Sequence, residues 1–207
     1  KTYLADYDVV AEVTPSERAA MFRFTFPEND SSYIILDAFE KGSMVKIIPE
    51  ERKIIGYCRN NNGGVPENFH NYFVAVFDKD FKWKHTWSDN WKLNENSTDS
   101  EGDHVGAIIG FMTEQGEQVN VKVASSFISL KQAELNLNQD IETGAIASSR
   151  LWLDDQLGIN SCDLSFSELD PLRGRAGTSA WLFAEGERFH KVHDAFKSPD
   201  SRRRPVV

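Results

Sequence analysis

The feature that most constrains the fold is a series of short apolar runs, each of strand length and separated by turn residues, over residues 1–140. Residues 19–26 place three phenylalanines on one face and Met, Arg and Thr on the other, the period-two pattern of a half-buried strand. Residues 33–36 are apolar on both faces, as in a central strand that is covered on each side, and residues 72–77 predict another buried strand. This pattern predicts an antiparallel all-β fold.

Local signals divide these runs into pairs. Residues 43–48 and 53–58 predict a hairpin around Pro49, and residues 105–111 and 118–126 predict an antiparallel pair across residues 113–116. Between them, residues 89–103 are acidic and polar. Their spacing does not fit a calcium-binding loop, so a solvated connection is expected.

One helix is predicted, near the end of this region. Ser129 followed by Gln132 forms a capping-box pattern at the start of residues 130–140. The predicted fold class is therefore all-β, an antiparallel β-sandwich that is incomplete at its amino-terminal end, followed by a short helix and an irregular tail.

The tail, residues 142–207, differs in character from the sandwich region. Residues 1–140 contain 10 Lys and 4 Arg, whereas residues 141–207 contain 2 Lys and 7 Arg, and the periodicity fades. These changes lead to the hypothesis that the tail is an out-of-frame or misassembled translation, which reading the other two frames tests. His190 and His193 share a helix spacing, but without a third ligand they are interpreted as surface histidines rather than a metal site.

Composition excludes several classes of function. A formal net charge of −9 argues against a nucleic-acid-binding surface, and no run approaches the roughly 18 apolar residues of a membrane helix. Cys58 and Cys162 are the only cysteines, so neither a disulfide framework nor a paired-cysteine metal site is expected. Phosphate-binding, dinucleotide-binding and hydrolase motifs are absent from the sequence, and we assign no catalytic residue.

Two stretches offer candidate binding residues. The loop at residues 60–69 combines three successive Asn, two Gly and a Pro, which makes it either a simple turn region or a shaped polar loop that contacts a ligand. Residues 81–87 alternate aromatic rings with Lys and Thr. That aromatic row either stacks on sugar rings or bases or packs on a second sheet, and packing is favoured because large aromatics dominate cores. Trp91, beyond the row, is predicted to be free.

The ordered set of segments resembles one known family. Residues 16–27, 33–38, 56–81 and 119–141 are similar to the amino-terminal β-sandwich of glycoside hydrolase family 92, a family of calcium-dependent α-mannosidases. The most specific part is Gly-Gly-Val-Pro-Glu-Asn-Phe shortly before Tyr-Phe-Val. The resemblance covers about residues 1–141, which we expect to be a partial sandwich domain.

The resemblance implies an exo-acting, inverting hydrolase of α-linked mannose that is secreted or periplasmic and joins this sandwich to an (α/α)6 barrel. Because the resemblance assigns the acid, the base and the calcium ligands mainly to that barrel, this chain is expected to hold no catalytic residue and no metal or other cofactor. It would then be an inactive fragment whose partners are the missing barrel and mannose-containing glycans. A freestanding carbohydrate-binding β module and a structural, adhesin-like sandwich are the alternatives.

The resemblance also sharpens the interpretation of the polar loop. It implies that the loop lies on the rim of the interface between sandwich and barrel. Glu67 and Asn68 are then predicted to contact the sugar or the barrel, and Trp91 is a further candidate for such contacts.

Overall fold

The computed structural model describes residues 1–142. The predictions for the tail at 142–207, including those for His190 and His193, lie outside the described residues apart from residue 142. Within this part of the chain, twelve strands and one helix follow one another: β1 Thr2–Leu4, β2 Val9–Pro15, β3 Ala19–Phe26, β4 Asn29–Asp37, β5 Ser43–Ile48, β6 Lys53–Cys58, β7 Asn71–Phe77, β8 Trp83–Ser88, β9 Lys92–Glu95, β10 Asp99–Gly102, β11 Gly106–Thr113, β12 Glu117–Ser126 and α1 Leu130–Glu142. Short 3-10 turns occupy Pro49–Glu51 and Asp89–Trp91.

The strands form two antiparallel sheets, which confirms the predicted β-sandwich. The large sheet has the order β1-β2-β3-β12-β7-β6-β5-β10, and the small sheet has the order β4-β11-β8-β9. The hairpin of β5 and β6 forms as predicted, with Ile48 paired to Lys53 across the Pro49 turn. Because successive side chains of a strand point to opposite faces of its sheet, every second apolar residue of a strand lies in the space between the two sheets.

The main core fills that space. Val45, Ile54, Val119 and Val121 of the large sheet are fully buried, and Ile109 of the small sheet is 1% exposed. All five belong to one continuous cluster of apolar side chains. Burial of such a side chain stabilises the fold by roughly 1.5–3 kcal/mol, so the paired sheets are held mainly by this layer.

The predicted pairing of residues 105–111 with residues 118–126 is wrong. β11 pairs with β4 and β8 in the small sheet, whereas β12 pairs with β3 and β7 in the large sheet. The turn that joins them therefore crosses from one layer to the other. Periodicity identifies a strand but carries no information about its sheet, and β11 is buried on both faces.

Two further expectations are also corrected. Residues 89–103 are not a plain solvated loop, because they contain β9 and β10 as edge strands of different sheets. The run at residues 33–36 was expected to be central, yet β4 is an edge strand. Its two faces are nevertheless covered, since Ile34 packs in the main core and Ile35 packs on the opposite face.

Helix α1 covers the outer face of the large sheet. Ala133 and Leu137 pack on Val74 and Ala124. The Ser129 Oγ accepts a hydrogen bond from the Gln132 backbone N–H at 3.1 Å, so the predicted cap forms. The Gln132 side chain donates to Asn136 Oδ1 instead of returning to Ser129, and the capping box is therefore only half made. Among residues 1–142, no helix has the length and apolar character needed to cross a membrane.

The aromatic row divides between the two faces of the small sheet. Phe81 packs toward the main core, at 5.2 Å from Phe77. Trp87 instead clusters with Ile35 and Ile108, and Trp83 packs against the same cluster, on the face directed away from the large sheet. The prediction that the row packs on a second sheet is correct for Phe81 and wrong for the two tryptophans.

Candidate functional site

The candidate site lies at one end of the sandwich, here called the loop end, where β4 and β6 finish and β7 and β11 begin. Contacts between the sheets define this end. Ala38 N–H donates to Val105 C=O at 3.1 Å, and Val105 N–H donates to Ser43 Oγ at 3.1 Å. Ser43 is in turn paired with Cys58. The end of the small sheet is thus fixed against the start of the polar loop.

The polar loop at residues 60–69 is held by hydrogen bonds to backbone carbonyls. Arg59 N–H donates to Gly42 C=O at 2.9 Å, and its guanidinium donates to Glu67 C=O at 2.7 Å. Lys41 Nζ donates to Asn61 C=O at 3.1 Å. These contacts join the loop to the β4–β5 connection, so it is a shaped loop rather than a minimal hairpin turn.

The tip of the loop uses the conformational freedom of its glycines. Gly63 and Gly64 have φ of +92° and +78°, a region that other residues adopt with difficulty. Asn61 Oδ1 accepts a hydrogen bond from Gly63 N–H at 2.8 Å, a local turn typical of asparagine. Glu67 and Asn68 are both exposed, and the bonds that fix them use their carbonyls, including one between Asn68 C=O and His70 Nδ1 at 2.8 Å.

Trp91 is placed differently from what was predicted. Its ring stacks on Trp87 with centroids 4.8 Å apart and an interplanar angle of 24°, and it meets the edge of His104 at 5.2 Å. Trp91 is therefore a packed, half-buried residue, and its description as free is wrong. It lies on the small-sheet side, whereas Glu67 and Asn68 lie on the large-sheet side, so the structure does not gather the three residues into one cluster.

A buried pair, Asp37 and His104, lies between these two groups. Asp37 Oδ1 accepts hydrogen bonds from His104 Nε2 at 2.8 Å and from Phe39 N–H at 2.7 Å. The side chain of Asp37 is only 4% exposed and that of His104 only 15%. Asp89 Oδ1 accepts from His104 N–H at 2.8 Å. The Asp37 carboxylate thus orients the imidazole that contacts Trp91, and Asp89 fixes the backbone of His104.

An apolar rim borders the polar loop. Phe69 packs against Phe127 with ring centroids 5.5 Å apart. Phe127 and Ile128 remain 54% and 76% exposed, and Val65 is 38% exposed. Exposed apolar residues that are neighbours, as Phe127 and Ile128 are, are typical of surfaces covered by a partner. The loop end therefore combines shaped polar groups with an apolar border.

The side chains described at this end make hydrogen bonds and ring contacts. Among residues 1–142, no three His, Cys, Asp or Glu side chains are placed to hold a metal ion together. Cys58 is buried at the base of the loop, and burial raises the pKa of its thiol, which disfavours a nucleophilic thiolate. The expectation of calcium in a barrel outside this chain stays a prediction.

Sequence reasoning missed Arg59, Asp37 and His104. Asp37 and His104 act through each other across a separation of 67 residues, and Arg59 acts through the backbone carbonyl of Glu67. The sequence did contain one signal for the pairing of β8 with β11. Gly106 and Gly110 have the same four-residue spacing as Trp83 and Trp87, and the structure pairs Gly106 with Trp87 and Gly110 with Trp83.

Comparison with known proteins gives a consistent result. The family model described as the glycosyl hydrolase family 92 N-terminal domain matches residues 1–126. The fold is similar to that of an inverting mannosidase of family 92 from Bacteroides thetaiotaomicron, with 36% identity and a TM-score of 0.62 over 65% of this chain and 18% of that one. A family 92 α-mannosidase from the same organism, in complex with mannoimidazole, has 34% identity and a TM-score of 0.57 over 66% of this chain and 19% of that one.

The chain thus spans about a fifth of the length of these solved relatives. A family 92 glycosyl hydrolase with 20% identity has a TM-score of 0.52, which supports the fold alone. A search of curated proteins found no match.

Proposed function

Since the chain belongs to glycoside hydrolase family 92, as the match of its residues 1–126 to the N-terminal domain shows, we propose that it is the sandwich domain of an exo-acting, inverting α-mannosidase. The substrate would be α-linked mannose at the ends of mannose-rich glycans. The observation that carries the proposal is the 36% identity with an inverting mannosidase of which this chain spans 18%.

In the proposed enzyme the sandwich supports a catalytic (α/α)6 barrel that follows it. The barrel supplies a carboxylic acid that protonates the leaving oxygen and a carboxylate that activates water on the opposite face of the sugar. Those two groups stand about 6.5–9.5 Å apart in inverting enzymes. The barrel also supplies the calcium site, and the whole enzyme is secreted or periplasmic.

The loop end is the part of this chain proposed to meet the barrel and the substrate. The apolar rim of Phe127, Ile128 and Val65 is exposed and would be covered by the barrel. Glu67 and Asn68 project from a loop that Arg59 holds in place, and Trp91 lies beside the neighbouring His104. Such preorganised groups position a substrate without taking part in bond making.

The stereochemical test uses the full-length enzyme that carries this sandwich. Incubation with α-1,2-mannobiose, followed by proton NMR within the first minutes, should show β-mannose as the first product. Initial formation of α-mannose, or no release of mannose, would contradict the proposal. The 207-residue chain assayed alone is expected to release no mannose.

The role of the loop is tested separately in the same enzyme. Glu67→Ala and Asn68→Ala together should lower kcat/KM or the melting temperature of the assembled enzyme, because they remove contacts to the sugar or to the barrel. An unchanged kcat/KM together with unchanged stability would assign the loop a purely local structural role.

A further inference from the structure

The polar loop at residues 60–69 contains the one Asn-Gly pair of the 207-residue sequence, Asn62-Gly63. The side-chain amide of an asparagine is chemically labile, because the backbone nitrogen of the following residue can attack its carbonyl carbon. A glycine has no side chain that hinders this attack. Asn62 is therefore the asparagine at which the sequence most favours such a reaction.

The structure leaves this pair open to solvent. Asn62 and Gly63 are both exposed, and a Cβ placed on Gly63 would meet no other atom within 4 Å. Among residues 1–142, no hydrogen-bond partner fixes the side-chain amide of Asn62. The amide is therefore free to turn toward the backbone nitrogen of Gly63, as the exposed tip of a loop allows.

The preceding asparagine is held in a different way. Asn61 Nδ2 donates to Arg59 C=O at 2.9 Å, and Asn61 Oδ1 accepts a hydrogen bond from Gly63 N–H at 2.8 Å. Both ends of the Asn61 amide are thus engaged. The second bond holds the proton that the Gly63 nitrogen must give up before it attacks Asn62, so the Asn61 side chain restrains the reaction of its neighbour.

We propose that Asn62 is a site of spontaneous deamidation whose rate is restrained by Asn61. In the first step the Gly63 nitrogen loses its proton and bonds to Asn62 Cγ, and the side-chain nitrogen leaves as ammonia. The product is a succinimide ring. Water then adds to one of the two ring carbonyls and breaks the bond between that carbonyl and the ring nitrogen. Addition at one carbonyl gives aspartate, and addition at the other gives isoaspartate.

The reaction changes both the charge and the backbone of the polar loop. A carboxylate at position 62 adds a negative charge to a loop that Arg59 and Lys41 hold through backbone carbonyls. The isoaspartate product also lengthens the main chain between residues 62 and 63 by one methylene group. This inference depends on the chemistry of the loop and does not rest on the proposed enzymatic function.

Incubation of the folded 207-residue chain at pH 8 and 37 °C tests the proposal. Samples taken over several weeks are digested at mildly acidic pH, and mass spectrometry with fragmentation that distinguishes isoaspartate from aspartate follows each asparagine. Asn62 should convert at least tenfold faster than Asn96, an exposed asparagine in another turn, because Ser97 has the side chain that Gly63 lacks. Equal conversion of the two residues, faster conversion of Asn96, or no conversion of Asn62 would each overturn the proposal.

Gly63→Ala and Gly64→Ala form a matched pair of variants. Both glycines have positive φ, +92° and +78°, and open space at the Cβ position, so each substitution strains the loop. Gly63→Ala places a methyl group beside the attacking nitrogen and should slow conversion of Asn62 at least tenfold. Gly64→Ala leaves that nitrogen unhindered and should not slow it. Equal slowing by both substitutions, or by neither, would overturn the assigned attack by Gly63.

Asn61→Ala tests the restraint. It removes the acceptor of the Gly63 N–H bond and should accelerate conversion of Asn62 about two- to tenfold, the factor that corresponds to one net hydrogen bond. Circular dichroism confirms that the variant is folded like the unsubstituted chain. An unchanged or slower conversion in Asn61→Ala would overturn the restraining role of Asn61.

Discussion

Asp140 in the last turns of α1 accepts two hydrogen bonds from Arg18, one from its backbone N–H at 3.0 Å and one from its guanidinium at 3.2 Å. The two residues are 122 positions apart, and Ser16 Oγ donates to the same carboxylate at 2.8 Å. The end of the helix is thereby fixed to the β2–β3 turn. The helix cannot leave the outer face of the large sheet without breaking these bonds.

Asp140→Asn should destabilise the chain at neutral pH. Burial raises the pKa of Asp140, but the hydrogen bonds from Ser16 and Arg18 outweigh it and leave the pKa below its usual value. A depressed pKa stabilises the fold above the unfolded value of about 3.9, and this contribution is lost as pH falls below it. The expected loss is about 1–2 kcal/mol, because a charged hydrogen bond is removed while Arg18 is 46% exposed.

Urea unfolding at pH 7 and pH 3 measures this effect. The difference between the chain and Asp140→Asn should be largest at pH 7 and smaller at pH 3, because pH 3 lies below the unfolded pKa of about 3.9 and the unfolded carboxyl then takes up a proton. Ser97→Ala serves as a control that removes only a local bond to Asp99 C=O and lies away from Asp140 in the β9–β10 connection. If the difference in free energy of unfolding is equal at the two pH values, the depressed pKa of Asp140 does not contribute to stability.

Gly110→Ala should destabilise the chain by about 1–3 kcal/mol, the usual cost of overpacking. The new methyl group would overlap the Trp83 indole, whose nearest atom lies 1.8 Å from the Cβ position. In a Trp83→Ala background the same substitution should cost little, which gives a measurable coupling in a double-mutant cycle.

The matched control for that cycle is Gly106→Ala in the same Trp83→Ala background. It should stay destabilising, because its Cβ would meet Trp87 and the Leu36 carbonyl at 2.4 and 2.5 Å. Equal costs for Gly110→Ala with and without Trp83 would show that the indole does not lie on the glycine.

The sequence predicts those parts of the fold that depend on neighbouring residues. The β5–β6 hairpin and the Ser129 cap form because turn and cap chemistry are local. The allocation of β11 and β12 to different sheets was not predicted, since both strands are apolar and periodicity does not encode a partner. The same limit applies to the site: Glu67 was identifiable as part of a polar loop, whereas the Asp37–His104 pair depends on the approach of two strand ends from opposite parts of the chain.

His104→Ala should destabilise the chain by about 2–3 kcal/mol. The substitution leaves the 4% exposed carboxylate of Asp37 without its imidazole partner, and unpaired buried polar groups are costly. It also removes the ring that contacts Trp87 at 4.8 Å and Trp91 at 5.2 Å. Chemical denaturation measures the loss, and Asp37→Asn/His104→Ala should recover part of it. If the double variant recovers no stability, the loss in His104→Ala does not come from the unpaired carboxylate of Asp37.

Cys58 should react slowly with iodoacetamide in the native chain at pH 8. Its side chain is 5% exposed, and burial raises the pKa of the thiol, so both access and the thiolate fraction are reduced. Mass spectrometry of peptides containing residue 58, with and without 6 M urea, measures the rates. Comparable rates in the two conditions would show that the base of the polar loop is open.

Arg59→Ala should loosen the polar loop with little effect on global stability. Arg59 donates to Glu67 C=O at 2.7 Å, and its stem packs 3.3 Å from the Cβ position of Gly42, so one side chain joins the loop to the β4–β5 connection. Because the loop is largely exposed, its opening exposes few core residues, and we expect a loss of less than about 1 kcal/mol. Hydrogen exchange should become faster at Phe69 N–H, which donates to Pro66 C=O at 3.0 Å, and remain unchanged in β7. Lys79→Ala is the surface control.

If exchange at Phe69 is unaffected by Arg59→Ala, the loop is held by its own turn chemistry and not by Arg59. In that case the orientation of Glu67 and Asn68 would depend on the glycines at the tip of the loop, and Gly63→Ala would become the more disruptive variant because Gly63 has φ of +92°.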